Sequence, residues 1–269
     1  LKKKIAFLGV PIIIASSLFI YKSFADDTKR AAADKEVLEN ELLVISNDFD
    51  STSSLNDMVE SSDLVVVGKY TNFDSTWNMA RDPENPEEES TEDYVEGKLY
   101  DFKVEQTLKG DSQENIRINH LYSETYKVEM TSGDEVVSPE GILLKEPSET
   151  TIHEVEKVDP LFIEPNIDDK YILFLNKGED TGNYFASIEP FSILFNEDNV
   201  AELQSNLKGL PSENHEEDHD HPYDDRFTET VKVGEESLDI MHDIHATVDD
   251  NLSGEKLETI ISEIENIVK

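Results

Sequence analysis

The chain contains no cysteine, which excludes disulfides, thiolate metal ligands and a cysteine nucleophile together. Any metal here is therefore held by His, Asp, Glu or carbonyl oxygen. Basic residues are scarce: 23 Lys and Arg stand against 61 Asp and Glu, for a net charge of -38. So negative a surface repels phosphate backbones and anionic head groups, which removes nucleic acid and peripheral membrane binding as functions. Cations and basic proteins are the attractions that remain. Glycine numbers only 11, and neither a P-loop nor a Gly-rich dinucleotide motif occurs. G-x-S-x-G is missing too. Ser205 and Lys208 spell S-x-x-K, but no S-D-N or K-T-G accompanies them, and both read as positions on a helix. Among 61 acids no carboxylate pair stands out, so a glycosidase has no positive support.

The chain also has few long apolar runs, and the longest is at its start. Lys2, Lys3 and Lys4 precede "IAFLGVPIIIASSLFIY", 17 residues from Ile5 to Tyr21, and Ser23 and Ala25 follow at the positions a signal peptidase reads. Residues 1–25 are expected to be a signal peptide or a membrane anchor, with the remainder outside the cell in either case. Pro11, Ser16 and Ser17 weaken a membrane helix and favour cleavage. The first 25 residues carry four lysines and no acids, so the rest has 19 basic and 61 acidic side chains, a net of -42. That charge reads as a solvated coat rather than as a specific cation site.

What is present beyond this is mainly β patterning. Residues 26–50 read as a spacer, helical over 26–46, with Ala31 to Ala33, Val37, Leu38 and Leu42 in helix-favouring surroundings. A β domain is expected over 51–207. Ser53 or Ser54 caps a short helix bearing Leu55, Met58 and Val59, and Val65 to Val67 begin a buried strand. The Pro-rich acidic segment 81–95 is an exposed insertion. Tyr100, Phe102 and Val104, then Ile116 and Ile118, then Tyr126, Val128 and Met130 alternate with polar residues and form a hairpin around Lys109-Gly110-Asp111. Residues 131–165 read as a second insertion, broken by prolines, with short strands in "GILL" and "PLFI". "DDKYILFLNKG" and "NYFASIEPFSILFNED" read as strands around a turn at Gly178 to Gly182, and "VAELQSNLKGL" as a helix ending at Gly209. An acidic, His-rich loop spans 208–226. Over 227–269 a strand "FTETVKV" precedes an amphipathic helix with Leu257, Ile260, Ile261, Ile264, Ile267 and Val268 in its stripe and Ser253 as N-cap. The fold class is mainly β (α+β): a small antiparallel OB-like barrel with peripheral helices and a C-terminal amphipathic helix.

The order "SDLVVVGKY", "DFKVEQTLKGD", "KYILFL" resembles a group of poorly characterised exported proteins of Gram-positive bacteria and, more distantly, netrin-like domains. The latter are five-stranded OB-type barrels that include tissue inhibitors of metalloproteinases. Ser62, Asp63, Val65 to Gly68, then Phe102, Val104, Leu108 to Gly110, then Tyr171, Ile172, Phe174 and Leu175 carry the resemblance, across roughly Leu55 to Asn196. These are structural positions. The resemblance implies an extracellular barrel whose face or loops bind a partner. Inhibitor activity is not implied, because those inhibitors chelate zinc through an N-terminal cysteine and this chain has none.

One motif invites a sharper reading. "PSENHEEDHDHP" contains His215-Glu216-Glu217-Asp218-His219, the H-E-x-x-H spelling of a zinc protease. Glu217 and Asp218 put charge where a buried helix needs none, prolines bound the stretch, and neither Glu235, Glu236 nor Asp239 supplies a third ligand in a recognisable motif. A secreted zinc-dependent hydrolase is thus the most distant reading. A metal site built from His215, His219 and His221, with His242 and His245 as additions, is the nearer one, and zinc is the one cofactor it implies. The plain reading is a solvated acidic loop. Asp48 and Asp249 open acidic stretches that resemble calcium loops, but their twelfth positions are Val59 and Ile260 where a bidentate Glu is required. His120 and His153 read as ordinary strand or loop residues, and Trp77 as barrel-edge packing or a contact point. The first functional reading is an exported, cell-envelope-associated protein that acts by binding an unknown extracellular protein or cation rather than by catalysis. Stoichiometric zinc binding lost in a triple alanine variant of His215, His219 and His221 is the result that would favour metal handling.

Overall fold

The computed structural model describes residues 41–46, 49–85, 87–132, 136–137, 143–145, 149–178, 181–210, 227–233, 236–244 and 246–269. In chain order these form β1 (Glu41–Ser46), α1 (Leu55–Glu60), β2 (Leu64–Asn78), β3 (Val95–Lys109), β4 (Asn115–Ser132), β5 (Val136–Val137), β6 (Leu143–Lys145), β7 (Glu149–Val158), β8 (Lys170–Lys177), β9 (Tyr184–Ala186), β10 (Ser192–Phe195), β11 (Ala201–Gln204), β12 (Thr228–Val233), β13 (Glu236–Asp243) and α2 (Leu257–Val268). The protein is mainly β with a C-terminal helix, as the alternation of its apolar residues predicts. Its described residues fall into two compact units, one of β1, β12 and β13 and one comprising the remaining elements.

The larger unit is an OB-like barrel. Its sheet runs β11-β10-β8-β2-β3-β4-β7, and β9 pairs with both β8 and β4. The β4–β9 contact is parallel, at Ile118 and Tyr184, and the β8–β9 contact is antiparallel. Strands β2, β3, β4, β9 and β8 therefore close into a five-stranded ring. Side chains alternate across each strand, so one set points inward. That set is Leu64, Val66 and Tyr70 from β2, Tyr100 and Phe102 from β3, Ile116 and Ile118 from β4, Tyr171, Leu173 and Leu175 from β8, and Tyr184 from β9. The outward set Val65, Val67, Ile172 and Phe174 is equally buried, so this side of the barrel is covered by a second apolar layer rather than facing water. On β2 the register slips at Val67/Gly68, and the Lys103 carbonyl approaches so closely that a Cβ at Gly68 would collide with it. Only glycine fits there.

Two helices complete this unit. Ser54 caps α1 by accepting the Asp57 N–H, and Leu55, Met58 and Val59 are buried as the periodicity predicts. Helix α2 packs against α1 and β3 and buries Leu257, Ile260 and Ile264, whereas Val268, expected in the apolar stripe, is exposed. Its N-cap is Lys256 rather than Ser253. Ser253 is drawn away because its hydroxyl donates to Asp250 and accepts the Leu203 N–H.

Three other expectations change. "VAELQSNLKGL" is not a helix: β11 pairs antiparallel with β10, burying Ala201 and Leu203 while Glu202 is exposed. Ser205 and Lys208 thus lie on no helix; Lys208 donates to the Leu203 carbonyl and pairs with Asp250 at 3.3 Å. The insertion 131–165 contains a full strand, β7, paired with β4, and a short strand at Leu143–Lys145, but none in "PLFI". Residues 41–46, read as the end of a helix, are β1: Leu43 and Ile45 are buried while Leu42 is exposed, a period of two that parallel pairing with β13 uses.

In the smaller unit β13 lies between β1, parallel, and β12, antiparallel. Strand β12 is the expected "FTETVKV". No described helix is long and apolar enough to cross a membrane, and the run Ile5 to Tyr21 lies outside the described residues.

Candidate functional site

The histidine loop does not come into view as a site: His215, His219, His221 and His245 lie outside the described residues. His242 is buried on β13, opposite Ile45 of β1. Among the described residues no three His, Asp or Glu side chains cluster as metal ligands.

The site the structure does present is in the larger unit, at the end of the barrel where Tyr70, Tyr100, His120 and Tyr171 meet. Tyr70 is packed edge-on by Tyr100, Phe102 and Tyr171 at centroid distances of 5.8, 5.1 and 5.1 Å. Beyond this aromatic layer opens a cavity of about 350 Å³. Phe162 and Ile163, from the segment after β7, form part of its wall, as do Phe185 of β9 and Phe191 from the β9–β10 connection. Polar groups enter from separate segments: Asp50 before α1, His120 of β4, Asp159 after β7, and Glu189 before β10.

His120 is buried, with its Nε2 3.0 Å from the Tyr70 hydroxyl and its ring against Tyr100, Phe162 and Phe191. Burial pushes its pKa down to about 4, the Glu164 carboxylate opposes that shift, and Lys98 adds to it, so the imidazole is neutral at physiological pH. Burial likewise holds the Tyr70 phenol well above its usual range, with Tyr171 and Tyr100 adding to the effect. Beside this pair, Glu164 accepts from Tyr100 at 2.6 Å and from Lys98 at 3.1 Å. Lys98 also sits 3.6 Å from the Tyr122 ring centroid. Burial pushes the Glu164 carboxyl up, but the bonds from Tyr100 and Lys98 outweigh it and keep it below its ordinary value.

Two of the cavity acids, Asp159 and Glu189, behave in the opposite way. Burial raises Asp159 to about 6, although the Leu161 N–H donates to its Oδ1 at 2.7 Å. Burial raises Glu189 to about 7, a hydrogen bond with Ser205 opposes this, and the Asp159 charge adds to it. The Oε1 of Glu189 is sealed from solvent and has no hydrogen-bond partner. Its backbone is fixed on both sides: the Glu189 N–H donates to the Asp50 carbonyl at 3.0 Å, and its own carbonyl accepts from Thr52 at 2.9 Å. Such desolvated, mutually repelling carboxyls are a mark of a functional cleft.

Chemically the site can hold a ligand and exchange protons with it. Among the described residues only the Tyr70 hydroxyl lies within hydrogen-bond distance of His120, and the Ser187 hydroxyl is engaged by the Phe174 carbonyl and Ser62. Trp77 is half-buried near the rim, donating its Nε1–H to Asn119 beneath the Arg81 guanidinium. His153 sits on β7, 2.8 Å from the Thr151 hydroxyl and away from the cavity lining.

None of the cavity groups was singled out by spacing, because they come from four separate segments. One signal was available. Asp159-Pro160-Leu161-Phe162 and Glu189-Pro190-Phe191 each place an acid directly before proline and apolar residues, whereas most acids of this chain stand in charged runs. An acid in apolar company is the one that folding buries. In sequence comparison, no protein-family model and no curated protein matches the chain.

Proposed function

We propose that this chain is a binding protein, exported to the cell exterior, that takes a small ligand into the cavity at the end of its barrel. The observation that carries the reading is the cavity itself: a volume within the range of ligand sites, aromatic walls, and a few buried polar groups converging on it without a nucleophile and base in contact. The export reading is supported by Lys2 to Lys4 ahead of the run Ile5 to Tyr21. A net charge of -38 argues against polyanionic ligands. The test is a fragment screen by amide chemical shifts, run beside the Ala186→Trp variant, which fills the cavity from β9. Hits are expected to shift the amides of Phe162, Glu189 and Phe191 and to be lost in the variant. Hits that map elsewhere, or that survive the variant, would overturn the reading.

A further inference from the structure

We propose that the ligand is an organic cation: a primary or secondary ammonium on an apolar, ring-sized body, with its N–H groups on Glu189 and its body against Phe162 and Phe191. This rests on the cavity-binding reading above and adds the chemistry of the ligand. Three observations carry it. The first is sign: Asp50, Asp159 and Glu189 border the cavity, and among its described lining residues there is no lysine or arginine. Lys98, which lies beside His120, is already held by Glu164 and the Tyr122 ring. An anion entering here meets acids and nothing to compensate it. The second is the orphaned Oε1 of Glu189: the chain's own groups leave it unsatisfied and water does not reach it, so a ligand bonds it only when the side chain turns toward the cavity, a turn that an N–H donor would reward. A neutral apolar ligand would leave it unsatisfied, and a quaternary ammonium has no N–H to give it, whereas a primary or secondary ammonium does. The third is the aromatic wall, which attracts the positive end of a ligand through the ring faces and its body by apolar contact.

Binding is linked to a proton. The titratable groups around Glu189 are Asp50 on the paired backbone, Asp159 after β7 and His120 on β4, with Lys98 and Glu164 paired beyond them. Burial keeps a proton on Glu189 near neutral pH, and the ammonium replaces it. Well below 7 close to one proton leaves as one cation arrives, and above it progressively fewer, so affinity rises with pH and levels off near 8.

The experiment is calorimetric titration of the full chain at pH 8 with four probes of one shape: phenethylamine, 2-phenylethanol, phenylacetate and phenethyltrimethylammonium. Phenethylamine is expected to bind at least tenfold tighter than each of the others, and Glu189→Gln to erase that preference while the variant stays folded. Measured in two buffers of different ionisation heat at pH 6.5, its binding is expected to release protons. If the alcohol or phenylacetate binds as well as the amine, or if Glu189→Gln keeps the preference, the cation assignment falls and the cavity reading stands. If none of the four binds at millimolar concentration, both fall.

Discussion

Replacing Glu189 with glutamine is expected to stabilise the fold in a way that depends on pH. The Glu189 carboxyl titrates near 4.5 in the unfolded chain and at about 7 in the fold. Between those values the folded state binds more protons than the unfolded one, so the stability this group contributes is complete below 4.5 and is lost as pH rises through about 7. At 1.36 kcal/mol per tenfold change, the gap amounts to ~3 kcal/mol lost by pH 8. Glutamine resembles the protonated carboxyl and does not titrate. Its constant offset from that carboxyl cancels when the two proteins are compared across pH. Urea denaturation of both proteins from pH 5.5 to 8 is the assay, the lower bound being set by loss of solubility toward the pI of about 4.3. The stability difference is expected to move in favour of glutamine by ~2 kcal/mol over that range. A difference flat within about 0.5 kcal/mol, or one that grows in favour of the native residue, would refute the reasoning.

His120 acts in the opposite sense. Its pKa falls from 6.5 to about 4, so the stability it contributes is present above 6.5 and is lost as pH drops toward 4. Its imidazole carbon resonances are expected to stay at neutral-form shifts down to pH 5.5, and a midpoint near 6.5 would show that the ring is not enclosed. Because His120 and Glu189 pull against each other over nearly the same window, the native stability profile should be flatter than that of His120→Phe, which should rise as pH falls. Gly68→Ala sets a Cβ against the Lys103 carbonyl and should cost ~3 kcal/mol or prevent folding; a loss under about 1 kcal/mol would mean that the bulge relaxes freely. Ile264→Ala in α2 should cost ~3 kcal/mol, against under about 0.5 kcal/mol for Val268→Ala, because the first is wholly buried and the second exposed. Equal losses in urea denaturation would misplace the buried face of α2.

The barrel was legible because its strands alternate with a period of two and the fold uses that period. Val65 to Val67, Tyr100 with Phe102, and Tyr171 to Leu175 all stand where the pattern put them. What failed did so for identifiable reasons. Residues 201–204, Ala-Glu-Leu-Gln, are good helix formers, but the antiparallel edge of β10 decided their state, and tertiary pairing outweighs an intrinsic preference of a few tenths of a kcal/mol per residue. Strand β7 hid among prolines, and β1 hid because its partner β13 lies nearly two hundred residues away. The HEEDH spelling drew attention through residue types alone, while the cavity is assembled from residues no motif connects.

That contrast also bears on the proposed cationic ligand. A net charge of -38 concentrates every cation near the surface, a divalent ion more than a monovalent one, so it does not by itself favour an ammonium. Discrimination needs groups that treat the cations differently once water is removed. A hydrated metal ion entering the barrel-end cavity would have to trade its water for several oxygen ligands, yet the walls there are largely Phe, Ile and Tyr. An organic ammonium also loses water from its charged head, a cost that pairing with a carboxylate offsets, while its apolar body gains from those same walls. On the proposal of an organic-cation ligand, the surface charge acts as a collector and Glu189 as the selector. The two roles separate experimentally: raising salt should weaken the capture of every cation, divalent ions most, while Glu189→Gln should change only which one stays.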